Sequence, residues 1–254
     1  MKIATKSPFY IILLSLIFIT CFYRFINAHS EIIVTISIPK CDTHLLTRCI
    51  SLLTSKTSFW TTADTIEEVI KHAPQKKFLG CHLKYSYEKA KILKKNNCNL
   101  FFIYRNPRDC AVSAVYYMQK HTNIWPAFQS LSFDDALTSI IIAINQDNYR
   151  IYMPWFNEIN ICVVRFEDLV GSHGGGNDQA QYEAVNHIAN QLGLDYNNAQ
   201  LSIIADDLFG KSGTFYKGQI CSWKSHFNNA HKQLFKELAG DLLISLGYEK
   251  DDNW

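Results

Sequence analysis

Short apolar runs with the composition of buried β-strands alternate along this chain with amphipathic segments of helical periodicity. The strand-like runs are residues 31–38, 77–83, 99–105 and 159–166, and the helical segments include residues 43–54, 85–95 and 133–157. Strands that alternate with helices predict a parallel sheet with helices on both faces, which is an α/β fold. We therefore expect one domain over residues 29–254, with its ligand at the carboxyl ends of the strands. The glycine-rich stretch 171–177 predicts a loop inside that domain.

The first 28 residues have the layout of a targeting segment. Between Lys6 and Arg24 lie 17 uncharged and mostly apolar residues, and the small residue Ala28 follows. A basic start, an apolar run and a small residue predict a secretory signal peptide over residues 1–28. The alternative is an uncleaved anchor that attaches the domain to a membrane through residues 8–23. Both alternatives predict a location in the secretory pathway, in a periplasm or at a membrane.

The charge balance and the cysteines argue against two kinds of site. The formal net charge is only +2, and the chain beyond residue 28 has no basic excess, which argues against a nucleic-acid partner. Seven of the eight cysteines lie beyond the apolar run and form no CxxC motif, so we expect buried free thiols and no metal. Cys41, Cys81 and Cys221 fall in segments expected at one cleft, so a zinc-binding or oxidisable thiol cluster remains the alternative.

A candidate anion-binding loop, PKCDTHLLT, follows the first strand-like run at residues 39–47. A strand, a tight loop with Lys40 and then a helix N-terminus would direct backbone amides, the helix dipole and a full positive charge at a phosphate-like group. The Walker A pattern GxxxxGK[ST] occurs nowhere in the chain, which argues against a kinase.

A second candidate anion site follows the strand-like run at residues 99–105. Asn106 and Pro107 are typical of the first residues of a helix, and Ser113 comes two turns after that helix begins. Arg105 therefore precedes a helix whose Ser113 hydroxyl would face back toward it. Arginine together with a hydroxyl suits a dianionic phosphate, because both form strong hydrogen bonds to its oxygens.

Two further segments add candidate functional residues. Lys217 and Gly218 combine a basic side chain with a residue that lets the backbone approach a ligand closely. His82 follows Cys81 at the end of the strand-like run 77–83, beside the expected anion loops. An imidazole with a pKa near neutrality at that place is a candidate general base.

Together these segments resemble the sulfotransferase family, whose members transfer a sulfuryl group from 3′-phosphoadenosine 5′-phosphosulfate (PAPS) to an acceptor. PKCDTHLL is similar to the family's phosphosulfate loop PKSGTTWL, and RNPRDCAVS is similar to its 3′-phosphate motif. FLGCHLKYS resembles the segment with the catalytic histidine, and VVRFEDLVG resembles the strand and turn after it. YKGQICSWKSHF resembles the signature RKGxxGxWKxHF. The five matches occur in the family's order over residues 31–254.

The resemblance implies a P-loop-like sulfotransferase fold, PAPS as co-substrate and no metal. It implies that His82 removes the proton of a hydroxyl or amine acceptor, and that Lys40 stabilises charge on the bridging oxygen. The cofactor-binding positions that it implies are Lys40, Cys41, Asp42, Thr43, His44, Arg105, Ser113, Phe166, Tyr216, Lys217 and Gly218. The acceptor would be a small molecule or a glycan, bound by the variable segments 55–76 and 118–135.

Four positions depart from the family pattern. Asp42 replaces a glycine, Leu45 replaces the tryptophan that packs on adenine, Tyr216 replaces an arginine and Cys221 replaces another glycine. A carboxylate in an anion site repels phosphate, so we predict weaker PAPS binding than in typical members. The departures also support an alternative hypothesis, a catalytically impaired relative that binds a nucleotide or a glycan.

Overall fold

The computed structural model of the chain describes residues 32–61, 66–71, 77–144, 149–210 and 218–254. The predictions made for residues 1–28 and for Tyr216 and Lys217 lie outside these ranges. Within them, no helix is long and apolar enough to cross a membrane.

Five strands form one parallel sheet in the order β2-β3-β1-β4-β5. They are β1 (Ile33–Ser37), β2 (Thr57–Trp60), β3 (Lys77–Cys81), β4 (Asn99–Tyr104) and β5 (Ile161–Arg165). In the centre, Val34 of β1 lies opposite Leu79 of β3 and Leu100 of β4. The four strand-like runs of the sequence are therefore strands, each shorter than its run by one to three residues.

Nine α-helices connect and cover the strands in the described part of the chain. They are α1 (Thr43–Thr54), α2 (Ile66–Lys71), α3 (Tyr87–Lys95), α4 (Pro107–Lys120), α5 (Phe133–Ala143), α6 (Phe166–Leu169), α7 (Asp178–Gln191), α8 (Asn198–Asp206) and α9 (Asn229–Ser245). Short 3₁₀ helices occupy Pro126–Phe128, Arg150–Asn157, Ser172–Gly174 and Ser222–Ser225. The described parts of the segment 133–157 thus contain an α-helix and a 3₁₀ helix, and the glycine-rich loop contains one 3₁₀ turn.

Buried apolar side chains form one cluster on each face of the sheet. Along β4, Leu100 and Phe102 belong to the first cluster and Phe101 and Ile103 to the second, because successive strand residues point to opposite faces. Helices α4, α5 and α9 contribute to the first cluster, whereas α1, α7 and α8 contribute to the second. The predicted α/β architecture with helices on both faces is confirmed.

Strand β2 and helix α2 lie inside the segment 55–76, which the sequence suggested was a variable loop. The strand TSFW is short, half polar and mostly exposed, and it pairs on one side only, with β3. An edge strand of this kind needs no long apolar run, because its outer side is not buried. Its last residue, Trp60, ends near the carboxyl edge of the sheet, where the candidate site lies.

Candidate active site

The carboxyl edge of the sheet brings together residues from distant parts of the sequence. Ser37 ends β1 and Tyr104 ends β4, and the loops after these strands carry Lys40 and Arg105. His82 directly follows β3. Lys40 interacts electrostatically with both Arg105 and His82, which places the three side chains in one region. The edge that the sequence predicted for the ligand therefore carries the predicted base and two predicted anion-binding cations.

The loop after β1 turns tightly into the N-terminus of α1. The amide of Cys41 donates to the carbonyl of Ile38 at 3.1 Å, and Lys40 and Asp42 both have left-handed backbone angles, with φ of 68° and 63°. Asp42 caps the helix, since its Oδ1 accepts from the amide of Leu45 at 3.3 Å. The loop has the geometry of an anion site, but one of its helix amides already bonds to a carboxylate of the chain itself.

The Lys40 side chain packs against helix α4. Its Nζ lies 3.9 Å from the ring centroid of Tyr117, a cation–π distance. Burial lowers the pKa of Lys40, and nearby Arg105 acts in the same direction, whereas Asp42 opposes both. Sequence analysis missed Tyr117. Tyr117 follows Ser113 by four residues and therefore lies on the same face of α4. This spacing could have identified it from the sequence.

The His82 imidazole is held at one nitrogen by Ser37. Nδ1 lies 3.0 Å from the Ser37 carbonyl oxygen and 2.9 Å from the Ser37 hydroxyl oxygen. A carbonyl can only accept, so Nδ1 carries a hydrogen and Nε2 has a free lone pair. Burial lowers the pKa of His82, and Lys40 and His44 lower it further against the hydrogen bond to Ser37. A neutral imidazole with a free Nε2 is the form that a general base requires.

Trp60 lies against the predicted base. Its ring centroid is 4.8 Å from that of His82 in an edge-on arrangement and 6.3 Å from that of His44. Nearly half of Trp60 is exposed, at 48%. It therefore offers an apolar surface beside the histidine to any bound molecule. Sequence analysis included Trp60 only within the variable segment 55–76 and did not place it beside His82.

Arg105 is buried between two of the predicted cofactor segments. It is 6% exposed, its guanidinium lies 4.2 Å from the Phe166 ring centroid, and Nη2 donates to the Gln219 carbonyl at 2.8 Å. The Arg105 Nε is buried and forms no hydrogen bond within the described residues. A buried guanidinium nitrogen without a partner fits a site that binds an anion.

The remaining predicted cofactor residues are divided between the site and the undescribed segment. Gly218, just before Gln219, has a left-handed φ of 57°, and its carbonyl oxygen packs against Gly174 of the glycine-rich loop. A Cβ at Gly174 would lie 2.6 Å from that oxygen, which requires a glycine there. Ser113 is half-buried in α4 and forms no hydrogen bond to Arg105 in the described structure. Leu45 is buried in the core and offers no surface to an adenine ring.

The thiol that contacts Cys41 is that of Cys110. Their sulfur atoms lie 3.2 Å apart and both residues are buried, whereas Cys221 is exposed and Cys81 bonds to the Thr35 carbonyl. The alternative of a cluster of Cys41, Cys81 and Cys221 is therefore not supported, because the neighbour of Cys41 is Cys110, which lies in the first turn of α4 beside the loop. Among the described residues no three His, Cys, Asp or Glu side chains are arranged to hold a metal ion.

Hydrogen bonds and an ion pair of the Glu167 carboxylate connect the ends of β4 and β5. Its carboxylate accepts from the Asn106 amide at 2.9 Å and from the Tyr248 hydroxyl at 2.8 Å, and Arg165 lies 3.4 Å away. Burial raises its pKa, which these contacts oppose. Because Asn106 follows Arg105 directly, Glu167 fixes the backbone that carries the buried guanidinium.

A parallel sheet with a tight loop and a helix N-terminus after its central strand, and a histidine beside them, defines an α/β fold with a candidate anion site at the carboxyl ends of its strands. The model of the sulfotransferase domain family matches residues 30–175, more than half of the chain, and the chain belongs to this family. The predicted family is thereby confirmed.

Known proteins agree with this membership. Sulfotransferase 6B1 of Danio rerio is 26% identical over 196 residues, which is 68% of this chain and 61% of that protein. The match thus spans less than two thirds of the relative. The crystal structure of mouse sulfotransferase SULT7A1 complexed with PAP superposes with a TM-score of 0.65 at 21% identity, covering 87% of this chain and 88% of the other.

A second solved structure shares the fold at lower similarity. Retinol dehydratase in complex with androsterone and inactive cofactor PAP superposes with a TM-score of 0.58 at 13% identity, covering 83% of this chain and 80% of the other. At these identities the two structures show a common fold, and they confirm the predicted sulfotransferase architecture.

Proposed function

We propose that this protein is a PAPS-dependent sulfotransferase that transfers a sulfuryl group to a hydroxyl or amine acceptor. The observation that carries the proposal is the meeting of three groups at the sheet edge: His82 with a free Nε2, Lys40 beside the α1 N-terminus, and the buried Arg105. Family membership and neighbours solved with PAP support the same chemistry.

The residues present fit the co-substrate, because Arg105 Nε is a buried donor without a partner in the described structure and the amides of α1 open toward the same edge. Bound PAPS would supply the sulfuryl group and a stable leaving group. The hydroxyl oxygen or amine nitrogen of the acceptor attacks the sulfur atom, and Nε2 of His82 accepts the proton that this group loses. Lys40 stabilises the negative charge that appears where the sulfur–oxygen bond breaks, and Arg105 holds the nucleotide. The chemistry then needs positioning and charge, without a covalent enzyme intermediate.

The exposed ring of Trp60 beside His82 favours an acceptor with an apolar or sugar-ring face. We propose a small-molecule or glycan acceptor of this kind. The proposed targeting segment 1–28 would place the enzyme in the secretory pathway, in a periplasm or on a membrane through residues 8–23. N-terminal sequencing of the protein recovered from secreted and membrane fractions tests that proposal.

Calorimetric titration of adenosine 3′,5′-bisphosphate (PAP) into the full chain tests nucleotide binding. Arg105→Ala should weaken binding by roughly 10- to 100-fold, because it removes charge-assisted hydrogen bonds, and Lys40→Ala should weaken it as well. Lys91→Ala, which removes an equal charge from the exposed face of α3, is the matched control and should change nothing. In an assay with PAPS and a panel of acceptors, His82→Asn should lower kcat by about 10²- to 10⁴-fold and leave PAP affinity intact.

A second function remains a candidate because the Asp42 carboxylate lies in the anion loop and caps the Leu45 amide. It is a catalytically impaired relative that binds a nucleotide or a glycan. PAP binding without sulfation of any acceptor would favour it. Folded protein that fails to bind PAP at millimolar concentration would contradict the sulfotransferase proposal.

A further inference from the structure

Two buried thiols meet at the place where the two candidate anion-binding segments touch. Cys41 lies in the loop after β1, and Cys110 lies in the first turn of α4. Their sulfur atoms are 3.2 Å apart, and the two residues are 0% and 4% exposed. A disulfide forms without backbone movement only between cysteines whose side chains already face each other. This pair meets that condition in the folded chain.

Both thiols adjoin the cations that are proposed to bind the nucleotide. Cys41 directly follows Lys40, and the Cys110 sulfur lies 3.9 Å from the carbonyl oxygen of Arg105. The Tyr149 hydroxyl donates to the same carbonyl at 2.5 Å. A bond between the two sulfur atoms would therefore connect the loop that carries Lys40 to the backbone that carries Arg105.

The pair is a property of this chain and not of the family pattern. In the loop PKSGTTWL, which the segment PKCDTHLL resembles, a serine stands at the position of Cys41. A serine hydroxyl cannot form a disulfide. The structure therefore adds to the common anion loop a chemical group that the common pattern lacks.

We propose that Cys41 and Cys110 form a disulfide in exchange with a low-molecular-weight disulfide such as oxidised glutathione, and that this bond holds the anion loop against the N-terminus of α4. The thiolate of one cysteine attacks a sulfur of the oxidant and releases one thiol. The second cysteine attacks the resulting mixed disulfide and releases the other thiol. The two cysteines lose two electrons and two protons, and both pass to the oxidant, which becomes two thiols.

The bond would act on the unfolded chain and on the site. It would join residues 69 positions apart, and a cross-link over such a length strongly restricts the unfolded chain. It would also keep the loop in its tight turn, so that less ordering remains when a nucleotide binds. This effect on the nucleotide rests on the proposed function, whereas the bond itself does not. The proposed targeting segment 1–28 would deliver the chain to a compartment in which disulfides persist.

Equilibration of the folded full chain in glutathione redox buffers tests the bond. The remaining thiols are alkylated at each ratio of oxidised to reduced glutathione, and the peptides are mapped by mass spectrometry. We expect a linked pair of peptides containing Cys41 and Cys110, two hydrogens lighter than the sum of the reduced peptides. Burial raises the pKa of the Cys110 thiol, so the bond should form slowly. The exposed Cys221 should react first and shows that the oxidant is active.

The oxidised wild type should have a Tm roughly 5 to 10 °C above that of the reduced protein. It should also bind PAP about three- to tenfold more tightly. Both differences between the redox states should disappear in Cys110→Ala and, as a second variant, in Cys41→Ser. Cys162→Ala is the matched control, because it removes a buried thiol from the apolar cluster on the other face of the sheet. It should keep both differences.

The outcomes separate this inference from the proposed function. If Cys221 is modified and no peptides link Cys41 to Cys110 at the most oxidising ratio, the inference is overturned. A linked pair without a rise in Tm, or a rise that Cys110→Ala retains, would overturn the role of the bond in holding the loop. Equal or weaker PAP binding by the oxidised form would overturn its effect on the site. If the bond forms and raises Tm but neither redox form binds PAP, the proposed function fails and the disulfide stands.

Discussion

Asp42, which stands where the family pattern has a glycine, has a backbone conformation that glycine adopts freely. Its φ of 63° lies in the left-handed region, which glycine adopts freely and which aspartate and asparagine adopt more readily than other residues. Its carboxylate also caps the Leu45 amide. An aspartate at this position is therefore compatible with the tight turn, and we expect its effect on an anionic ligand to be electrostatic.

Asp42→Gly should bind PAP about fivefold more tightly than the wild type, because it removes the repulsion between the carboxylate and the phosphates of the ligand, which is worth about 1 kcal/mol for two charges a few ångströms apart in water. Asp42→Asn keeps the cap and removes the charge, so it should show most of the gain. Titration calorimetry at low and high salt measures both, and the gain should shrink as salt screens the charge. Equal dissociation constants in all three proteins would contradict this account.

His82 should make stability depend on pH. Its pKa lies below its ordinary value, mainly because of burial and also because of Lys40 and His44. The unfolded chain therefore binds the proton more readily, and the folded state loses stability as the pH falls from about 6.5 toward the folded pKa. Urea unfolding over this range should show the loss, and His82→Gln should reduce it. An unchanged pH slope in His82→Gln would show that other groups cause it.

At the scale of elements, the first turn of helix α4 fixes the turn at residues 221–223, which lies in the segment that resembles the family signature. Asp109 is buried and accepts three hydrogen bonds, from the amides of Cys221 and Trp223 at 2.8 and 2.9 Å and from the Ser222 hydroxyl at 3.2 Å. The adjoining backbone carries the Gln219 carbonyl that binds the Arg105 guanidinium. One carboxylate of α4 thus fixes the position of a segment more than a hundred residues away.

Asp109→Ala should lower the free energy of unfolding by about 3 kcal/mol, because it leaves the buried Trp223 amide and the partly buried Cys221 amide without acceptors. PAP affinity should fall as well, since the turn next to Gly218 loses its anchor. Ser222→Ala is the control, because it removes only the longest of the three bonds and should cost about 1 kcal/mol or less. Urea unfolding compares the two, and equal losses would refute the role assigned to the amide bonds.

At the scale of the whole molecule, Arg108 joins α4 to the last residues of the chain. Its guanidinium carbon lies 3.8 Å from the Trp223 ring centroid and 4.4 Å from that of Trp254, and Nη2 lies 2.6 Å from Glu249. Arg108 is only 2% exposed. Arg108 lies two residues after Asn106, at the start of α4 and close to Arg105. The stack therefore packs the last residues of the chain behind the candidate anion site.

Trp254→Ala should lower the free energy of unfolding by about 2 kcal/mol, because it removes a cation–π partner and apolar contact area from a largely buried cation. Asn253→Ala, at the exposed neighbouring position, should change stability by less than about 0.5 kcal/mol. Thermal and urea unfolding test both variants. A Trp254→Ala protein as stable as the Asn253→Ala protein would show that the stack contributes nothing.

Much of the fold was predictable because its signals are local. The runs that form β1, β3, β4 and β5 are strongly apolar. The strands β1, β3 and β4 lie inside the sheet, where helices cover both of their faces. Asn106 caps α4 and Pro107 begins it, as predicted. β2 escaped prediction because an edge strand with mostly exposed side chains carries no such pattern.

The sequence by itself determined the order of elements, the helix starts and the residue types at the strand ends, because these depend on neighbours within a turn of helix or a few strand positions. Only the tertiary structure decided which of those residues meet. Ser37 contacts His82, Lys40 contacts Tyr117 and Asp109 contacts Cys221 because the strand order and the helix packing bring distant segments together. That arrangement buries apolar side chains from distant segments together on both faces of the sheet, and no local pattern encodes it.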